Sequence, residues 1–107
     1  MTELFIHEQR PHPDELEQLR SSIDQIDRAL CKLLAARFDL TQKVGEYKAR
    51  NGLAAVDSTR EQRQFEKIAT LAHQVGLNPE FAAKFLRLII DEVIVNHKKI
   101  ADKTAHS

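Results

Sequence analysis

Cysteine, glycine and proline are scarce in this chain, and neither sign of charge is in excess. Cys31 is the single cysteine among 107 residues, so no internal disulfide can form and a reducing cytoplasm is the simplest compartment. It lies in a helical pattern beside Leu30 and Leu33, the setting of a packed side chain rather than of a catalytic thiol. With only three glycines, three prolines and 42% hydrophobic residues, the chain reads as one compact, helix-rich soluble domain. The 16 basic and 16 acidic residues cancel, which excludes the broad basic footprint of a nucleic-acid or anionic-membrane binder and makes any anion recognition local. No apolar run approaches a membrane span, and Leu4-Phe5-Ile6 is too short for the core of an export signal. No metal-ligand spacing, glycine-rich phosphate loop or nucleophile beside a base appears, so neither metal nor cofactor is expected. His7 and His12, two tail histidines without fixed geometry, read as solvated.

What the chain does have is helical periodicity. Residues 1–13 read as a flexible tail, in which Pro11 and Pro13 oppose regular structure until Pro13 can serve as a first helical residue. From about Asp14 a stripe of Leu16, Leu19, Ile23, Ile26, Leu30, Leu34 and Val44 recurs at three- and four-residue steps, and Asn51-Gly52 supplies a stop after Arg50. That predicts a helix of roughly 36 residues, about 54 Å long. A globule of this size has a radius of gyration of about 13 Å, so such a helix is expected to need a partner chain.

A second helix is expected from the Ser58…Glu61 capping-box spacing, with Phe65, Ile68, Ala72 and Val75 on its inner line and Gly76 at its end. Asn78-Pro79 then restarts a third helix through Phe81, Phe85, Leu86, Ile90 and Val93 to about Ala101, followed by a frayed tail over 102–107. The predicted fold is all-α, a three-helix chain with one long N-terminal helix, its domain covering 14–101. No strand signal or internal repeat appears.

Against this background Arg37 is out of place, because it sits near the centre of the first apolar stripe. Lys48 lies close to the same line three turns on, so two cations face inward from one apolar surface. Arg20 near the start of the helix, Arg60-Glu61 at the start of the second, and His97 on the inner line Leu86, Ile90, Val93, His97, Ile100 complete the set. Each has a plainer explanation alone: an interhelical ion pair, a solvated helix start, a satisfied core histidine. Together they are harder to dismiss, because Asp39 and Glu46 lie on other faces and do not obviously neutralise both inward cations. A small hydroxylated dicarboxylic acid would: arginine forks suit carboxylates, lysine supplies a movable charge, and Glu61 can accept from a hydroxyl. Such a site catalyses by binding, orientation and electrostatics.

These residues closely resemble the all-helical, type II class of chorismate mutases over about residues 14–101. The resemblance rests on Leu19-Arg20-x-x-Ile23-Asp24-x-Ile26-Asp27, Leu34-Ala-Ala-Arg37, Val44-Gly45-x-x-Lys48, Val56-Asp57-x-x-Arg60-Glu61 and Leu88-Ile89-Ile90-Asp91-Glu92. It implies an intertwined homodimer with two shared active sites that rearrange chorismate to prephenate in the cytoplasm, in the shikimate branch leading to phenylalanine and tyrosine. It leaves room for another enzyme of that pathway as a partner. By position, Arg20 would reach a substrate carboxylate from the partner subunit and Arg37 would bind one from its own. Lys48 would contact a carboxylate and the ether oxygen, Arg60 would help close the site, and Asp57 and Glu61 would hold the ring hydroxyl.

Two positions depart from the family pattern: Val93 stands where a serine is common, and His97 where a glutamine often donates to the ether oxygen. Val93 removes one polar contact. His97 is expected to donate to the ether oxygen, from a neutral ring or a protonated one; if the charge is required, the rate falls as pH rises through about 6 to 7. The competing expectations are an isochorismate pyruvate-lyase on the same scaffold, against which the Asp57 and Glu61 clamp argues, and a noncatalytic helical dimerisation or regulatory module, which leaves Arg37 and Lys48 without purpose.

Overall fold

The computed structural model describes residues 13–105, all but the turns between elements in α-helix. Residues 1–12, with most of the expected tail, His7 and His12, lie outside the described residues, as do 106–107. The helices are α1 (Pro13–Arg50), α2 (Ser58–Val75) and α3 (Pro79–Ala105), which bears out the all-α, three-helix expectation. Contacts divide the chain into two units, Met1–Arg37 and Phe38–Ser107.

The described part of the first unit is helix alone. Asp14 and Glu15 in its first turn face the positive end of the helix dipole. No residue of 14–37 is buried, and the predicted stripe is open: Leu19 is 63% exposed and Ile26 66%. Cys31, expected to be packed, is exposed as well; its neighbour Leu33 is 69% exposed, so the thiol lies on a face that this chain leaves uncovered.

The second unit holds the end of α1, then α2 and α3. α1 stops where the Asn51-Gly52 signal placed the stop: Gly52 takes a positive φ of 64°, and the Leu53 N–H reaches back to the Lys48 carbonyl at 2.8 Å. α2 opens one residue earlier than the capping-box spacing implied. Its N-cap is Asp57, whose Oδ1 accepts from the Arg60 N–H at 3.0 Å. Ser58 is the first helical residue; both types can cap, and the carboxylate is the stronger acceptor. Gly76 closes α2 in the left-handed conformation, φ 75°, with its N–H directed to the Ala72 and His73 carbonyls. Asn78 then caps α3, its Oδ1 accepting from the Glu80 N–H at 2.9 Å, with Pro79 in the first helical position.

The short connection over 76–78 folds α2 and α3 back on one another. Their core is Ala72, Ala82, Leu86 and Ile90, with Phe65 and Ile68 half-buried. Val75, expected on the inner line, is exposed; it occupies the last turn before Gly76, and the buried line ends one turn earlier at Ala72. α3 runs past the expected end at Ala101 to Ala105, because Asp102-Lys-Thr-Ala contains no breaker and Lys103 in the last turn complements the dipole.

Candidate active site

Of the residues singled out in the sequence, Arg20 and Arg37 belong to the first unit and Lys48, Asp57, Arg60, Glu61, Val93 and His97 to the second. In the first unit, Arg20 is largely exposed and pairs one turn back with Glu17 at 3.1 Å, a contact between solvated groups that holds it only weakly. Arg37 differs. It is half-buried, and its Nη1 is shut off from solvent with no hydrogen-bond partner among the described residues. A guanidinium nitrogen left so is unfavourable, by about 1–3 kcal/mol for an ordinary polar group and more for a charged one, unless something else supplies an acceptor.

In the second unit, Lys48 is half-buried and its Nζ reaches the Ala55 carbonyl at 3.4 Å, a long contact that leaves the charge uncompensated. Among the described residues, no carboxylate pairs with Arg37 or Lys48. Asp57 Oδ1 is engaged in capping α2, which leaves its second oxygen free. Arg60 is exposed, with its backbone N–H on that cap.

His97 is the most enclosed of the polar residues, 4% exposed. Its Nε2 lies 2.8 Å from the Thr41 carbonyl oxygen on α1. A carbonyl can only accept, so Nε2 carries the hydrogen and donates. Nδ1 is buried without a partner. In the neutral ring this places the one N–H on Nε2 and leaves Nδ1 as the ring atom without a partner. Gly45 makes room for the arrangement. A Cβ there would come within 2.6 Å of His97 Cδ2 and 2.8 Å of Ile100 Cδ1. A glycine inside a helix costs about 1 kcal/mol relative to alanine, and that cost was the available signal for a close approach. Val93, at the position where a hydroxyl is common, is half-buried on the same apolar line as Ile90.

Sequence reasoning missed Arg87. Its Nη2 donates to Glu61 Oε1 at 2.9 Å across α2 and α3, its Nε donates to Asp91 Oδ1 at 3.1 Å, and its guanidinium carbon lies 5.2 Å from the centre of the Phe65 ring. The hydrogen bond with Glu61, reinforced by the Asp91 charge, holds the guanidinium above its ordinary pKa. The pair is separated by 26 residues, beyond any local spacing rule; a cation set among Leu86, Leu88 and Ile89 was the only hint.

The second unit thus carries a lysine without a carboxylate partner, an anchored carboxylate and a buried imidazole, and the first unit by itself carries a buried guanidinium nitrogen without an acceptor. Among the described residues no cluster with the make-up of a metal site exists, and no helix is long and apolar enough to cross a membrane. The profile of the chorismate mutase type II family matches residues 19–98. The chain belongs to that family. Relatives include the bifunctional chorismate mutase/prephenate dehydratase of Buchnera aphidicola subsp. Schizaphis graminum, 32% identical over 93 residues, which cover 87% of this chain and 24% of the relative. The chorismate mutase of Methanocaldococcus jannaschii is 26% identical over 91 residues, 85% of this chain and 92% of that one. The 4-amino-4-deoxychorismate mutase of Streptomyces venezuelae is 29% identical over 80 residues, 75% of this chain and 78% of that one. The chain therefore spans about a quarter of the bifunctional relative's length and nearly all of the archaeal one's.

Proposed function

We propose that this domain is a chorismate mutase, converting chorismate to prephenate on the way to phenylalanine and tyrosine. The observation that carries the proposal is the pair of inward cations without a protein counter-ion, above all the buried Arg37 nitrogen with no acceptor. A dianionic substrate supplies what the fold leaves missing. Arg37 binds one carboxylate, Arg20 reaches the other from the partner subunit of a homodimer, and Lys48 contacts a carboxylate and the ether oxygen. Arg60, exposed at the opening of α2, helps close the site. Glu61, and the free oxygen of Asp57, accept from the ring hydroxyl, while Val93 packs without a polar contact. His97 donates to the ether oxygen from Nδ1.

The reaction breaks a C–O bond as a C–C bond forms within one molecule, so it needs no nucleophile and no acid–base intermediate. Holding both carboxylates folds the enolpyruvyl arm over the ring. Cationic donors then favour the transition state over the ground state by stabilising charge that grows on the ether oxygen. The homodimer is supported by the uncovered apolar stripe of residues 14–37, and a cytoplasmic location by the substrate class. The bifunctional relative joins a mutase to a prephenate dehydratase by name, which supports a pathway enzyme as a fused or bound partner.

The test is product analysis. Purified protein is given chorismate or isochorismate, absorbance loss is followed, and products are separated by chromatography. Prephenate from chorismate is expected. Pyruvate released from isochorismate would assign the lyase reaction instead, and inertness of a folded dimer toward both would indicate a binding module.

A further inference from the structure

We propose that Arg87 determines specificity at the ring substituent: by pairing with Glu61 it cancels the charge of that carboxylate, so the site takes a neutral hydroxyl and turns away an ammonium group in the same place. The inference rests on the function proposed above and on Glu61 facing the ring hydroxyl.

Arg87 is held on three sides. Glu61 Oε1 accepts from its Nη2 at 2.9 Å, Asp91 Oδ1 accepts from its Nε at 3.1 Å, and the guanidinium lies over the Phe65 ring. The Glu61 side chain is 19% exposed against 44% for Arg87, so the carboxylate is the more enclosed partner and the cation backs it from the solvent side. One carboxylate oxygen is occupied and Oε2 remains. A hydroxyl needs only an acceptor lone pair, which Oε2 provides whether or not the pair is neutral overall. A ligand amine at that position is protonated at neutral pH. It would have to give up hydration in return for a carboxylate already compensated, with a fixed guanidinium close behind it. The pair therefore favours oxygen over nitrogen through charge rather than size. The contrast has a natural counterpart in the family, since the Streptomyces venezuelae relative is named for the substrate in which an amine replaces the hydroxyl.

The test compares kcat/KM for chorismate and for 4-amino-4-deoxychorismate in the wild type, Arg87→Met, Arg87→Gln and Arg87→Lys. Methionine keeps an aliphatic stem against Phe65 while removing the charge, glutamine removes it with a polar end, and lysine retains it. The wild type is expected to prefer chorismate. Arg87→Met and Arg87→Gln should each shift the ratio toward the amine by about tenfold, as for one charge removed at short range near the surface, and Arg87→Lys should preserve most of the preference. A merely structural Arg87 would lower both activities alike, and an unchanged ratio in whichever neutral variant folds overturns the proposal. A wild type that uses both substrates equally also overturns it while leaving the mutase assignment standing. A wild type that converts neither removes the mutase assignment itself.

Discussion

Residues 14–37 and residues 38–105 are both helical and both carry apolar stripes, yet only the second stretch has a core. In the second, Leu86 and Ile90 are 7% and 4% exposed, whereas Leu19 and Ile26 in the first are 63% and 66% exposed. Periodicity is the same; what differs is whether this chain supplies something to pack against. A stripe of that regularity on an otherwise polar helix has no use in water. The contrast teaches that regular periodicity alone does not make a core: the stripe of residues 14–37 is left uncovered, and the proposed dimer would cover it with a second copy. The cations follow the same division. Arg20 and Arg37 lie in the first stretch, and Lys48, Asp57, Arg60, Glu61 and His97, the other residues of the proposed site, lie in the second.

The comparison breaks most visibly at Arg37. Arg37→Ala is expected to lower kcat/KM by about 10³-fold, while the midpoint of thermal unfolding stays level or rises, since an unpaired half-buried charge has been removed. A matching loss of stability would show instead that Arg37 is structural. Ile90→Ala addresses the second stretch and should cost about 2–4 kcal/mol in denaturant unfolding. Ile26→Glu addresses the first. In an isolated chain a substitution at so exposed a side chain changes stability by about 0.5 kcal/mol at most, whereas across a dimer interface it should yield monomers on sedimentation and abolish activity. Smaller effects sharpen the picture within the second stretch. Gly45→Ala places a methyl group against His97 and Ile100 and should cost about 1–2 kcal/mol despite the gain in helix propensity.

His97 provides a finer test. With Nε2 directed at the Thr41 carbonyl, the proposed donor is Nδ1, and His97→Ala should lower kcat by about tenfold or more, whereas His97→Gln, whose amide N–H can donate, should keep most of the activity. Equal losses in the two variants would show that the side chain only fills space.

Much of this was legible in the sequence because the signals are local. Asn51-Gly52, Gly76 and Asn78-Pro79 end and begin helices through their own backbone conformations, and the structure places the boundaries there. The inward faces of Arg37, Lys48 and His97 follow from 100° per residue alone. The cap at Asp57 was displaced by one residue because neighbouring Ser58 satisfies the same rule, and α3 outran Ala101 because a polar helix end carries no stop. Val75 and Cys31 failed for a different reason. Periodicity says which side of a helix is apolar, not how far along that side another element extends. The Arg87–Glu61 pair and the His97–Thr41 hydrogen bond were hidden because each joins residues on different helices, and in the second case the acceptor is a main-chain carbonyl that no side-chain pattern announces.

The most direct test of the central claim is to mix the two defective dimers. Arg20→Ala and Arg37→Ala are each expected to be nearly inactive alone. If each site takes Arg20 from one chain and Arg37 from the other, subunit exchange makes heterodimers with one intact site. Random assortment should then restore chorismate-to-prephenate activity to about a quarter of the wild-type level. No recovery after demonstrated exchange would contradict the shared site, and with it the account of why residues 14–37 stand uncovered in a single chain.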